Sequence, residues 1–136
     1  MPKRILVTGS RHWTDKVAIA DALDRAVEDF ERPGVLDKSK KLDGIYILIH
    51  GDCEGADRIA AEYWLGRPVQ AYPANWAEFG KAAGPIRNQR MVNLGADICL
   101  AFPTAGSRGT WDCVRRAREA GIPVEIIEES KEVTNV

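Results

Sequence analysis

Three short stretches place glycines, hydroxyls and charges where a strand turns into a helix. They are Thr8-Gly9-Ser10-Arg11, His50-Gly51-Asp52-Cys53-Glu54-Gly55-Ala56-Asp57, and Pro103-Thr104-Ala105-Gly106-Ser107-Arg108-Gly109-Thr110-Trp111-Asp112. Turns of this kind present free backbone amides and the positive end of a helix dipole, a combination that suits a phosphate or a carboxylate. A tight turn explains any one of Gly9, Gly51, Gly55 and Gly109, but their recurrence at equivalent strand ends favours a ligand site.

The side chains around these turns divide by chemistry. Arg11 and Arg87 are the best anion clamps, because a guanidinium offers a bidentate fork. Ser10 and Thr110 can donate hydroxyls to a phosphate or cap a helix. Asn88 can bond a ligand or an adjoining loop. Asp57 and Asp112 each fall in a first helical turn, where a carboxylate complements the dipole; each is also a candidate to hold a ribose hydroxyl or polarise a water. Trp76 and Trp111 can stack on a base, whereas Trp64 lies on an apolar helical face and reads as core. His12 and His50 are candidates for proton transfer or for structure. His50-x-x-Cys53 supplies only two metal ligands, so no metal site is expected. Cys113 reads as a small buried residue. Arg90, Arg115, Arg116 and Arg118 read as a solvated helix face before they read as a strip for single-stranded nucleic acid.

Two common chemistries are excluded by what the loops lack. No G-x-G-x-x-G follows the first strand, and the second ends in His50 where a dinucleotide fold would place an acid. No G-K-[ST] is present, so this is no P-loop ATPase.

The elements that must position these residues alternate. Strands are expected at 4–8, 45–50, 68–72, 97–102 and 124–127, and helices at 15–30, 56–65, 85–94 and 110–120. Thr14 or Asp15 caps the first helix, whose core stripe reads Val17, Ala20, Leu23, Val27 and Phe30. Residues 31–43 read as a surface excursion, 73–84 as a long functional loop and 131–136 as a tail. Such alternation gives a three-layer α/β/α domain, residues 1–130, around a mainly parallel five-stranded sheet. With strand order 3-2-1-4-5, all three turns meet at one edge, and the ligand crevice falls between the first and fourth strands.

Composition fits a soluble single domain. The 136 residues are 45% hydrophobic and 29% charged, with a net charge of -1 that gives no general attraction to nucleic acid or membrane. Three cysteines without framework spacing favour a reducing, cytoplasmic setting. Neither a leader peptide nor a membrane span is expected.

Several motifs together resemble the YspA-type branch of the SLOG superfamily. They are Thr8-Gly9-Ser10-Arg11, His50-Gly51 with Gly55-Ala56-Asp57, Pro73-Ala74-x-Trp76, Gly80, Ala83-Gly84-Pro85-x-Arg87-Asn88-x-x-Met91, and Phe102-Pro103 with Gly109-Thr110. The resemblance implies a Rossmann-like fold that binds nucleotides or nucleotide-derived ligands, and it makes a homodimer an expectation, with Tyr63 and Trp64 as candidate contacts. A related group of the superfamily, the LOG phosphoribohydrolases, splits nucleoside 5′-monophosphates and carries R-K-x-x-M and P-G-G-x-G-T-x-x-E. Here Arg87-Asn88-x-x-Met91 lacks the lysine, and Cys113 stands at the glutamate. Asp112 lies one residue earlier, turned about 100° away.

The expectation that follows is binding or sensing of a nucleotide-like phosphorylated ligand, with no cofactor. Its contacts are the amides of the Gly9, Gly51–Gly55 and Gly106–Gly109 loops, with Ser10, Arg11, His50, Asp57, Trp76, Arg87, Asn88, Pro103 and Thr110. The alternative is N-glycosidic bond hydrolysis with Asp57 or Asp112 in place of the glutamate. Another branch of the superfamily binds DNA, but nucleic acid ranks third.

Overall fold

The computed structural model describes residues 2–31 and 45–129. The excursion expected at 31–43 and the tail at 131–136 fall, apart from Glu31, outside the described residues. Five parallel strands form one sheet: β1 (Lys3–Gly9), β2 (Tyr46–His50), β3 (Val69–Ala71), β4 (Ile98–Phe102) and β5 (Val124–Ile126). Their order is β3-β2-β1-β4-β5, the order on which a crevice between the first and fourth strands depends. The helices are α1 (Lys16–Phe30), α2 (Ala56–Tyr63), α3 (Trp76–Phe79), α4 (Ala83–Leu94) and α5 (Arg108–Glu119).

Alternation along β1 builds the two cores. Ile5 and Val7 face α1 and α2, together with Leu48, Leu100 and Phe102. Leu6 faces the other way, toward Met91 and Val92 of α4 and Cys113 and Ala117 of α5. A strand buried on both faces must be apolar throughout, which is why Ile5 to Val7 is unbroken. Trp13 is buried in the first core, edge-on to Phe102 at 5.4 Å, with its indole N–H donated to the Asp15 carbonyl. Burying such a ring contributes roughly 1.5–3 kcal/mol.

Two local expectations change. Asp15 caps α1, accepting from the Ala18 amide at 3.1 Å. However, the buried stripe is Ile19, Ala22, Leu23 and Ala26, and Val17 is 68% exposed. Small alanines let the helix axis approach the sheet, so Val27 and Phe30 pack only at the border. The segment 73–84 is not a loop throughout. Asn75 accepts from the Glu78 amide and its own amide group donates to the Glu78 carboxylate, a capping arrangement that winds α3. A single 3-10 turn, Gly80–Ala82, then leads into α4, which begins two residues before the expected 85.

Trp64 is core, its indole N–H bonded to the Pro68 carbonyl at 3.1 Å. It is therefore unavailable as a dimer contact, while Tyr63 stays exposed and donates to Asp24.

Candidate functional site

Close packing draws the three turns together. Gly9 ends β1 in register with Phe102, and a β-carbon there would overlap that of Ala56, so the start of α2 rests directly on the strand end. Gly55, at φ +78°, passes against the Ser10 carbonyl with no room for a side chain. That carbonyl accepts from the Ala56 amide at 3.1 Å, and the Ser10 amide donates to Phe102 at 2.9 Å. The Ser10 hydroxyl accepts from the His12 amide at 3.0 Å and from the Thr104 hydroxyl at 2.6 Å. Ser10 thus knots the loops after β1 and β4, and it is almost wholly buried.

A second brace crosses from α4. Arg87 donates through Nη1 to the Gly51 carbonyl at 2.6 Å and through Nε to Asn88 Oδ1 at 2.9 Å. Its guanidinium lies so close to Gly51 that a side chain there would collide with it. Asn88 in turn donates to the Gly109 carbonyl at 3.1 Å and to Asp112 at 3.0 Å. Arg116 and Arg115 complete the shell of Asp112 at 2.9 and 3.1 Å. Burial pushes the Asp112 pKa up, but the Arg116, Asn88 and Arg115 bonds outweigh it, and the net shift is down. A carboxylate held ionised by three donor side chains has no proton to give near neutrality. Its contacts are those of an electrostatic brace between α4 and α5.

Asp57 is the opposite case. It lies in the first turn of α2 and is 4% exposed. Its Oδ2 accepts from the Gly51 and Cys53 amides at 3.0 and 3.3 Å, whereas Oδ1 is buried without a partner among the described residues. Burial raises its pKa to about 7 against the opposing pull of the two amides and Arg87. The Thr110 hydroxyl, in the first turn of α5, is also buried and unpartnered. Native structures rarely leave such groups unsatisfied, and both of these residues line one cleft.

That cleft, about 1030 Å³, opens at the carboxyl edge of the sheet between the turns after β1 and β4. Of the residues singled out from sequence, Gly9, Ser10, Arg11, Asp57, Trp76, Arg87, Asn88, Gly106, Gly109, Thr110 and Asp112 line it. His50, Gly51, Gly55 and Pro103 do not; they shape the turns from behind. His50 is buried, and its Nδ1 accepts from the Asp52 amide at 2.9 Å. Burial lowers its pKa, so it is a neutral structural imidazole. Trp76 stands at the mouth, 59% exposed, with its ring beside Gly84. Trp111 is exposed outside the lining.

Sequence reasoning passed over Lys81, which joins Arg11 and Arg108 at the rim. None of the three has an ion-pair partner among the described residues. Lys81 owes its place to the 3-10 turn, for which the glycine-flanked sequence gives no periodic signal. The capping pair Asn75 and Glu78 just before it was the readable clue. Among the described residues no group of three or more His, Cys, Asp or Glu is placed to hold a metal ion, and no helix is long and apolar enough to cross a membrane.

Parallel strands in this order, with a cleft at the switch between β1 and β4, define a Rossmann-like α/β protein. The chain belongs to the YspA, cpYpsA-related SLOG family, whose model matches residues 3–79. That match takes in the turns after β1 and β2 and stops before α4. The chain is 40% identical over 129 residues to the Gene 61 protein of Mycobacterium phage D29, covering 90% of this chain and 94% of that protein. In fold it is similar to the X-ray structure of DNA processing protein A from Streptococcus pneumoniae, with a TM-score of 0.65 at 16% identity. The superposition covers 98% of this chain and 52% of that one, so the chain spans about half the length of that protein.

Proposed function

We propose that the protein binds a nucleotide or nucleotide-derived phosphorylated ligand in the cleft between the turns after β1 and β4. The observation that carries this reading is the unpartnered Thr110 hydroxyl at the start of α5. A phosphoryl oxygen there would meet that hydroxyl and the first amides of a twelve-residue helix, whose dipole favours an anion. Arg11, Lys81 and Arg108 supply positive charge at the rim, and Trp76 offers a face to a base. Arg87 acts mainly by holding the Gly51 turn and Asn88 in place, since two of its nitrogens already have partners. A reducing cytoplasmic setting and a homodimer belong to the same proposal. The three cysteines are unpaired, and Ile86 and Leu94 leave apolar surface along α4.

A second reading, hydrolysis of an N-glycosidic bond, is favoured by one observation. Burial raises the Asp57 pKa to about 7, into the range a general acid needs, and Asp57 lines the same cleft. A third, nucleic-acid binding, draws on the fold likeness to a protein named for DNA processing, and a phosphodiester would meet the same donors.

A thermal-shift screen separates the three, because a ligand that binds only the folded state raises its melting temperature. Nucleoside mono- and diphosphates are expected to stabilise the protein, and the matching nucleosides to do so much less. Equal effects of both would contradict a phosphate seat. Release of free base marks the hydrolase. Stabilisation by a single-stranded oligonucleotide, lost steeply with salt, marks the nucleic-acid reading.

A further inference from the structure

We propose that Asp57 recognises the anionic ligand as a neutral carboxylic acid, so that binding takes up a proton wherever the free carboxyl is ionised. The inference rests on the phosphate-seat reading and names how that seat is regulated.

The position of the proton follows from hydrogen bonding. Both backbone donors, the Gly51 and Cys53 amides, converge on Oδ2. An oxygen that already receives two N–H groups is the carbonyl-like one, so the proton resides on Oδ1. That atom is buried, has no hydrogen-bond partner among the described residues, and belongs to a side chain lining the cleft. An O–H group in this setting needs an acceptor from outside the chain. The unpartnered Thr110 hydroxyl lines the same cleft, which makes two hydroxyl donors for one anionic group.

Burial favours the acid form of Asp57; among the charges Arg87 opposes it and Asp52 supports it. The turn after β2 places Asp52 and Glu54 nearby, along with Cys53, whose thiol burial keeps protonated, and a neutral His50. The cation from α4, Arg87, is shared with the Gly51 carbonyl and Asn88. From α5 come the buried thiol Cys113 and Asp112, whose charge is balanced by Arg115 and Arg116. Arg11 and His12, from the turn after β1, line the cleft, and Arg58 of α2 pairs outward with Asp52. An anion entering beside an ionised, desolvated Asp57 would face strong like-charge repulsion; beside the acid it gains a hydrogen bond. The carboxyl's pKa of about 7 in the free protein puts the change of state in the neutral range.

The test uses sulfate, whose charge is constant across the neutral range, and adenosine 5′-monophosphate, bound to the full chain from about pH 6 to about pH 9. Affinity is expected to fall about tenfold per pH unit above about pH 7, with calorimetry recording proton uptake per sulfate that rises from little near about pH 6 to close to one near about pH 9. Asp57→Asn, whose amide donates at every pH, should bind with nearly pH-independent affinity for sulfate. If that variant fails to fold, proton uptake by the unaltered protein decides. Sulfate binding that is flat with pH or strengthens as pH rises overturns the proton linkage while leaving the phosphate seat standing. Absence of binding by either anion at every pH overturns both.

Discussion

Asp57 and Asp112 occupy equivalent places, each in the first two turns of a helix that starts at the carboxyl edge of the sheet, and they end in opposite electrostatic states. Asp112 meets Asn88, Arg115 and Arg116, so its charge is fully answered. Asp57 meets only two backbone amides on one oxygen and keeps the other bare. The first carboxylate is architecture, tying α4 to α5. The second is held uncompensated at a cost in stability, and groups of that kind mark functional sites more often than structural ones. The comparison teaches that position in the fold does not assign the role; the partners supplied by neighbouring elements do.

The largest effect expected is on the pH dependence of folding. The unfolded Asp57 carboxyl loses its proton near 3.8 and the folded one near 7, so between those values the folded state binds more protons. Stability contributed by this group is therefore present in acid and lost as pH rises through the window, by about 1.4 kcal/mol per unit and on the order of 4 kcal/mol in all. Urea melts of the unaltered protein and Asp57→Asn at intervals of pH should show their difference shifting in favour of the variant from about pH 4 to about pH 7 and levelling above it. A constant difference between about pH 4 and about pH 7 would contradict a raised Asp57 pKa.

Asp112→Ala is expected to cost about 1–2 kcal/mol at neutral pH, because it strips Asn88 and Arg116 of an acceptor between α4 and α5. The pKa of this group is depressed, so its contribution is present above the ordinary carboxylate range and fades as pH falls below about 4. Denaturant midpoints for variant and parent that converge in acid would bear this out, and midpoints equally far apart throughout would count against it.

The smallest change in stability belongs to Thr110→Val. The hydroxyl has no partner to lose, so the midpoint should move by no more than about 0.5 kcal/mol while affinity for a nucleoside monophosphate drops several-fold. A variant markedly less stable, yet binding normally, would move Thr110 to the architectural side. Lys81→Ala should leave stability unaltered and weaken binding modestly, more at low salt than at high, as befits an exposed rim cation.

The frame of this molecule was legible because it rests on local rules. Apolar runs ended by glycine or proline mark β1, β2 and β4, and glycines at positive φ, such as Gly66, Gly95 and Gly121, end helices where their residue type says they should. The site was legible in outline, since a parallel sheet sends every such turn to the same edge. Its finer assignments depend on contacts between residues far apart in the chain. Nothing adjacent to Arg87 reveals that the Gly51 carbonyl will claim its guanidinium, and nothing near His50 says that its Nδ1 will be taken by the Asp52 amide. Two aspartates with the same local sequence role separate only when α4 delivers Asn88 to one of them. Hydrophobic spacing likewise misplaced the stripe of α1, because close approach to a sheet rewards alanine over valine at the contact.

The account is tested most directly at the Asp57 carboxyl itself. Carbon-13 NMR of the side-chain carboxyl, titrated with and without saturating sulfate, reads its protonation without reference to activity. A midpoint near 7 in the free protein, moved upward when the anion binds, is the predicted result. A midpoint in the ordinary carboxylate range near 4, or one that bound sulfate leaves in place, would contradict it.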